Sequence, residues 1–295
     1  MAVGNNTDSE RRGDSPPAIA ILVYGRKEYA YAAQHLALTL REHSPGVPVH
    51  LWAGEGLLID SSYYTEVHPL DPIWYQDGPG QMKVHIHDIL PAGDWLYLDA
   101  DMLCIADIRP HIEALKAHDF ALDVRGKGGE NDRIEYTPWA TQQTIKRVAG
   151  LPDDATYYGV QTSWMWIRKG APAPALIFGA AKALHDSFTL EDLKEQWGGS
   201  IPDELCISAA ISNTCIEPHS EALAFYGSLG SYPTFNAVKA SHPLACLYGD
   251  TRKHRLVASR WLDQYDRTVR ALYRERGGFM GMDIHRIMKN KHVTR

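Results

Sequence analysis

The sequence of 295 residues lacks the features that direct a protein to a membrane or an oxidising compartment. It has no run of about 18 apolar residues, so no transmembrane helix is predicted. Residues 1–17 are polar, form no apolar signal segment and predict a disordered tail. The four cysteines contain no Cys-x-x-Cys pair, which favours reduced thiols and a cytoplasmic location.

Two further patterns are missing. The 14 histidines show no zinc-type spacing, and neither an internal repeat nor a low-complexity segment is visible. A zinc-finger module and a repeat protein are therefore not predicted. With 44% hydrophobic residues, the chain can form one large α/β domain or two small ones.

The pattern of apolar residues predicts an α/β fold. Residues 18–24 are continuously apolar, which is typical of a strand buried on both faces. Apolar residues at helical spacing over 27–42 predict a helix, and residues 47–52 predict a second strand. Strand, helix and strand in so short a stretch form a βαβ unit and predict a mainly parallel central sheet flanked by helices.

Similar patterns predict the remaining elements. Strands are expected at 95–98, 120–123, 160–167, 222–226 and 236–240, and helices at 80–90, 109–117, 173–186, 203–212 and 257–274. Residues 125–158 are rich in Gly, Asp, Pro and Tyr without a clear period. They predict a long loop with a short helix that covers a site.

Two carboxylates, Asp99 and Asp101, follow the predicted strand 95–98. In open parallel sheets, ligands bind at the carboxyl ends of the strands, and Asp101 can turn toward the same point as Asp99. Hard oxygen ligands suit Mn²⁺ or Mg²⁺, and such an ion would bridge the phosphates of a nucleoside diphosphate. The alternative is that Asp99 caps the next turn while Asp101 is solvated.

A resemblance to glycosyltransferase family 8, of the glycogenin-like type, rests on the stretch Leu96–Cys104, which reads Leu-Tyr-Leu-Asp-Ala-Asp-Met-Leu-Cys. Lys83 before this stretch and Ile108 after it add to the resemblance. The resemblance is clearest over residues 18–123. It implies a GT-A (Rossmann-like) fold and sugar transfer from a UDP-sugar, often with Mn²⁺ and with retention of configuration. The expected organisation is a GT-A catalytic domain at 18–251 and a basic helical C-terminal extension at 252–295.

The resemblance also implies roles for single residues. Donor binding is implied for Tyr24, Gly25, Arg26, Tyr29, Lys83, Asp99, Ala100, Asp101, Gln161 and Lys253. Catalytic roles near the donor sugar are implied for Asp123, Asp203 and Glu204. Packing of the tyrosines, solvation of Lys83 and helix capping by Asp203 and Glu204 are the alternatives.

The third metal ligand departs from the family pattern, which is a histidine followed closely by glycine and then by Lys-Pro-Trp. Here His242 precedes Gly249 and Lys253 at a longer spacing, and no Pro-Trp follows the lysine. The expected metal ligands are Asp99, Asp101 and His242, and Lys253 is expected to hold the diphosphate with neighbouring arginines.

Charge is unevenly distributed along the chain. Residues 252–295 hold 12 Lys/Arg against 4 Asp/Glu, whereas the other 251 residues hold 18 against 32, for a net charge of -6. This basic segment with its interleaved aromatic residues indicates a polyanionic binding partner. A hydroxymethylated base in DNA is therefore one predicted acceptor of the sugar. The segment can equally neutralise its own acidic domain, and a polysaccharide or lipid-linked glycan is the alternative acceptor.

The sequence leaves two other classes of function open. Phosphatases of the haloacid-dehalogenase type also place Asp-x-Asp after a buried strand, but they normally continue to Thr or Val where Leu103 stands here. A non-catalytic module that binds sugar or nucleic acid is the third class. Metal-dependent binding and turnover of a nucleotide sugar distinguish the first class from both.

Overall fold

The structure is a computed structural model that describes residues 16–25, 27–128, 139–194, 199–220, 226–228 and 243–246. The predicted strand at 236–240, the predicted helix at 257–274 and the basic segment 252–295 lie outside these residues. Arg26, His242 and Lys253 lie outside them as well. Within the described ranges, no helix has the length and apolarity needed to span a bilayer.

Strands and helices alternate through most of the described chain. The strands are β1 (Ala18–Val23), β2 (Val49–Ala53), β3 (Glu66–Pro69), β4 (Gly93–Leu98), β5 (Met102–Cys104), β6 (Phe120–Gly128), β7 (Tyr157–Lys169), β8 (Tyr226–Ser228) and β9 (Leu244–Cys246). The helices are α1 (Lys27–His43), α2 (Pro79–Val84), α3 (Ile86–Ile89), α4 (Arg109–Leu115), α5 (Gln142–Ala149), α6 (Pro172–Ser187) and α7 (Asp203–Thr214).

The central sheet has six strands in the order β3-β2-β1-β4-β7-β6. The first four run parallel, whereas β7 runs antiparallel to both β4 and β6. The predicted α/β fold with a mainly parallel sheet flanked by helices is thus confirmed. A smaller sheet pairs β5 with β9 and β9 with β8, and it holds the chain directly after Asp101.

Helices cover both faces of the central sheet. Alternation along β1 directs Ile19 and Ile21 into the core shared with α1, and Ala20 and Leu22 into the core shared with α6 and α7. Every residue of β1 is buried, because the strand lies in the interior of the sheet beneath both layers. This explains why its sequence is continuously apolar rather than alternating.

The prediction of a long loop with a short helix over 125–158 is confirmed for the helix, which is α5, but its bounds are wrong at both ends. Strand β6 continues to Gly128, and β7 already begins at Tyr157. Between them, α5 begins after Thr141, whose side chain accepts a hydrogen bond from the Thr144 N–H, and it ends at Gly150 with φ of 64°. Strand β6 lies at the sheet edge and contains two register shifts, so its periodicity is hidden in the sequence.

Helix α2 approaches the beginning of α7 closely at Gly80. A Cβ atom at this position would overlap the backbone carbonyl oxygen of Ile201, so only glycine permits the approach. Helix α2 carries Lys83, and α7 begins with Asp203. The contact therefore sets the distance between two predicted site residues.

Candidate active site

Lys83 joins two carboxylates that are distant in sequence. Its Nζ lies 2.9 Å from Oδ1 of Asp99, which follows β4, and 3.4 Å from Oδ2 of Asp203, the first residue of α7. The Lys83 side chain is 15% exposed and the Asp203 side chain 6%. Three residues predicted separately from the sequence thus form one ion-paired cluster, which we call the Lys83 cluster (Lys83, Asp99 and Asp203).

Neighbouring hydroxyl groups fix the two carboxylates of the Lys83 cluster. The Tyr97 hydroxyl donates to Oδ1 of Asp99 over 2.6 Å, and the Thr162 hydroxyl donates to Oδ2 of Asp203. The Lys83 ammonium also donates to Thr162 Oγ1 over 3.3 Å. These hydrogen bonds orient the charged groups before any ligand arrives, as preorganised sites require.

The electrostatics of the cluster follow from its burial. Burial raises the pKa of Asp99, although Lys83 and the Tyr97 hydroxyl act in the opposite direction. For Lys83, burial favours a lower pKa, but the carboxylates of Asp203 and Asp99 outweigh it and hold the pKa well above its ordinary value. The ammonium is therefore charged at neutral pH.

Asp101 and Ala100 lie in the turn that follows Asp99. The Met102 N–H donates to the Asp99 carbonyl oxygen over 3.2 Å and closes this turn, and β5 begins immediately afterwards. Ala100 is buried and Asp101 is half-buried. The placement of Asp101 in the turn, two residues after Asp99, is the one that the sequence predicted, and its part in a metal site stays a prediction.

Glu204 lies next to Asp203 in the first turn of α7, and the Trp139 indole N–H donates to its Oε2 over 2.9 Å. Burial, followed by the nearby Asp203 charge, raises the pKa of Glu204 to about 7. This carboxyl group can therefore change its charge near neutral pH. The sequence predicted a role for Glu204 but not the contact with Trp139, which lies within the segment 125–158 that was predicted as a loop with a short helix.

The turn after β1 contributes aromatic side chains. Tyr24 stacks on Tyr75 with ring centroids 4.5 Å apart, and Gly25 has φ of 74°, a conformation that glycine adopts without strain. Burial is the main cause that raises the pKa of Tyr24, and the neighbouring Tyr29 and Asp203 act in the same direction. Tyr29 is half-buried and packs against the α1 side of the core. This turn thus lies beside the Lys83 cluster.

A second polar group adjoins the cluster on β6 and β7. Asp123 and Gln161 are partners in the sheet register, and Arg125 lies 2.5 Å from Asp123 and donates to Gln161 over 2.7 Å. Burial raises the pKa of Asp123, and Arg125 opposes this. Gln161 directly precedes Thr162, which contacts Asp203, so this group lies next to the Lys83 cluster along β7, although successive side chains of a strand point to opposite faces. Arg125 was not predicted.

A different set of residues has the geometry of a metal site. Within the described ranges, one group of at least three histidine, cysteine or acidic residues has ligand atoms that all lie within 4.8 Å of one another. This group is His50, Glu66 and His68. The spacing of the histidines in the sequence did not reveal this group, because His50 and His68 belong to two strands and are 18 residues apart. Strand β3, which carries Glu66 and His68, was also not predicted.

Comparisons with known proteins establish the fold. No family model and no curated protein sequence matches the chain. The galactosyltransferase LgtC in complex with donor and acceptor sugar analogues matches with 13% identity and a TM-score of 0.52, over 84% of this chain and 95% of that one. An active-site mutant of LgtC matches with 12% identity and a TM-score of 0.53, over 83% and 94%.

The bifunctional glycosyltransferase WbbM matches with 10% identity and a TM-score of 0.50, over 81% of this chain and 46% of that one. A likeness to solved structures at sequence identities this low shows that the fold is shared and shows nothing further. The expected GT-A fold is thereby confirmed. The finer expectation, membership of the glycogenin-like family 8, stays a prediction.

Proposed function

We propose that the protein is a glycosyltransferase that transfers a sugar from a UDP-sugar to an acceptor hydroxyl, with a divalent metal ion and with retention of configuration. The observation that carries this proposal is the Lys83 cluster, which lies where β4 ends in a GT-A fold. Carboxyl ends of strands are where such sheets bind ligands. LgtC, which has the same fold, is described with donor and acceptor sugar analogues.

The chemistry of the donor set fits a hard divalent cation. Asp99 and Asp101 would hold Mn²⁺ or Mg²⁺ through carboxylate oxygens, with His242 as the predicted third ligand. The ion would supply Lewis-acid stabilisation of the leaving diphosphate. Lys83 would donate to a phosphate oxygen, because its charged ammonium is held beside Asp99.

The remaining residues act on the sugar and its surroundings. Asp203 forms an ion pair with Lys83 and accepts a hydrogen bond from the Thr162 hydroxyl. We therefore assign it the role of positioning Lys83. Glu204 is engaged by one indole N–H and, when ionised, stabilises positive charge that develops on the sugar ring. The stacked pair Tyr24 and Tyr75 offers an aromatic surface for the base of the donor, and Asp123 with Gln161 offers hydrogen bonds to hydroxyl groups.

A thermal-shift screen of nucleotide sugars with and without Mn²⁺ tests the proposal. A UDP-sugar in about hundredfold excess over its Kd is expected to raise Tm by about 5 to 10 °C, and only when Mn²⁺ is present. Slow Mn²⁺-dependent release of UDP should accompany binding. Phosphate release from simple phosphate esters without sugar turnover would instead favour the phosphatase, and binding without turnover would favour the non-catalytic module.

Glu204→Gln provides a test of the electrostatics of the free protein. The folded-state pKa of about 7 exceeds the ordinary value of 4.5, so ionised Glu204 destabilises the fold; this cost grows as pH rises above 4.5 and is complete above pH 7. The variant should therefore gain stability relative to wild type between pH 5 and pH 8, by about 2 kcal/mol. Urea denaturation at the two pH values measures the difference.

The exposed Glu191→Gln serves as the matched control, because Glu191 lies at the surface near α6. It measures the effect of an exposed Glu-to-Gln change and should alter stability by less than about 0.5 kcal/mol. A Glu204→Gln variant whose stability follows wild type at both pH values would show that Glu204 has an ordinary pKa, and the assigned change of charge near neutral pH would be wrong.

The acceptor is a separate proposal. A hydroxymethylated base in DNA is supported by the basic composition of residues 252–295, which lie outside the described part of the chain. A polysaccharide or lipid-linked glycan is the alternative. The polar group around Asp123 and Gln161 suits the hydroxyl groups of either acceptor.

A further inference from the structure

Two neighbouring parallel strands at one edge of the central sheet bring two histidines and a glutamate together. In the β2–β3 register, His50 is the partner of Glu66 and Trp52 is the partner of His68. Side chains two residues apart on a strand point to the same face, so His50 and His68 lie on one face with Glu66. We call these three residues the edge triad.

The distances within the edge triad match those between ligands of one ion. Nδ1 of His50 lies 3.0 Å from Nε2 of His68, and the Glu66 carboxylate lies 3.9 Å from His50 Nδ1. Two ligands at about 2.1 Å from a tetrahedral zinc ion are separated by little more than 3 Å. One ligand atom from each of the three residues lies within 4.8 Å of the other two.

The tryptophans beside the triad hold the imidazole rings in place. Trp52 stacks on His68 with ring centroids 4.4 Å apart, and Trp95 and His50 form a T-shaped pair with ring centroids 5.2 Å apart. The His50 and His68 side chains are 16% and 23% exposed, whereas the Glu66 side chain is 61% exposed. The site therefore has a rigid aromatic wall and an opening to solvent through which an ion can enter.

The ligand types distinguish this site from the predicted one at Asp99 and Asp101. Imidazole suits zinc and the later transition metals, whereas carboxylates and carbonyl groups suit Mg²⁺ and Mn²⁺. We propose that His50, Glu66 and His68 bind one Zn²⁺ ion that ties the edge strand β3 to β2, independently of the proposed sugar-transfer site. The alternative is a metal-free hydrogen bond between the two imidazoles with Glu66 nearby.

The expected result is a gain of stability with zinc. About hundredfold excess of ZnCl₂ over Kd should raise the Tm of the full chain by about 5 to 10 °C, while MgCl₂ at the same concentration should not. Equilibrium dialysis should show one more bound zinc ion in the wild type than in Glu66→Gln or His68→Gln. Because Glu66 is largely exposed, Glu66→Gln is expected to fold, and circular dichroism verifies this.

Glu55→Gln is the matched control, since Glu55 is an exposed carboxylate in the turn after β2 and outside the triad. It should bind zinc as the wild type does. Asp101→Asn should also retain the zinc response, which separates this site from the predicted sugar-transfer metal site. The proposal is overturned if zinc does not stabilise the wild type, or if Glu66→Gln and His68→Gln bind zinc as the wild type does.

Discussion

Lys83→Met is expected to lower the free energy of unfolding at pH 7 by about 3 to 5 kcal/mol, the usual cost of leaving buried charges without their partner. The ammonium lies between Asp99 and Asp203, and Met preserves the length of the side chain while removing the charge. Urea denaturation measures the loss. The loss should shrink as pH is lowered, because burial raises the pKa of Asp99 and protonation of that carboxylate removes an uncompensated charge.

Lys182→Met is the matched control for this experiment. Lys182 pairs with Asp88 over 2.6 Å, but both side chains are about one-third exposed, at 31% and 32%. An exposed pair of this kind contributes about 0 to 1 kcal/mol. If Lys83→Met is no more destabilised than Lys182→Met, then the Lys83 cluster is not an energetically coupled buried site.

Asp101→Asn is expected to reduce Mn²⁺-dependent turnover of the UDP-sugar by about a hundredfold or more, because it removes a charged ligand from the proposed metal site. Asp101 is preferred to Asp99 for this test, since Asp99 also pairs with Lys83 and its loss would alter stability. The concentration of Mn²⁺ needed for half-maximal activity should increase. Release of UDP from the donor provides the measurement.

Asp107→Asn is the control for the loss of a carboxylate in the same region. Asp107 lies between β5 and α4 at the surface, where it pairs with Arg109 over 2.7 Å. Its replacement should leave activity within about twofold of wild type, as expected for a surface change away from the site. Undiminished turnover in Asp101→Asn would remove Asp101 from the metal site and would weaken the proposed function with it.

The sequence predicted the buried part of the fold well, for a physical reason. Strands β1 and β4 lie between two layers of helices, so β1 is apolar throughout and β4 is apolar from Trp95 onward, which makes both easy to recognise. Strands β3 and β6 lie at the two edges of the sheet and carry exposed polar residues. Burial on two faces leaves a clear signal in sequence, whereas a half-exposed edge strand with register shifts does not.

The same distinction applies to the candidate site. Asp99 was predicted because it directly follows a buried strand, whereas Asp203 was predicted from its resemblance to an acidic pair of the family, with a place in the first turn of a helix as the alternative. Their contact through Lys83 could not be predicted, because it depends on how α2 docks against α7. Alternation along β4 did contain an unused signal, since Tyr97 lies two residues before Asp99 and its hydroxyl binds that carboxylate.

The close approach of Gly80 to Ile201 also bears on the order of folding. The contact joins segments separated by more than a hundred residues, and β4, β6 and β7 lie between them in the chain. Contacts of long sequence separation form slowly, since the loop between them must first be closed at a cost in entropy. We therefore expect Lys83 and Asp203 to meet late, after the central strands have paired, so that the sheet is a prerequisite for the charged cluster and not its product.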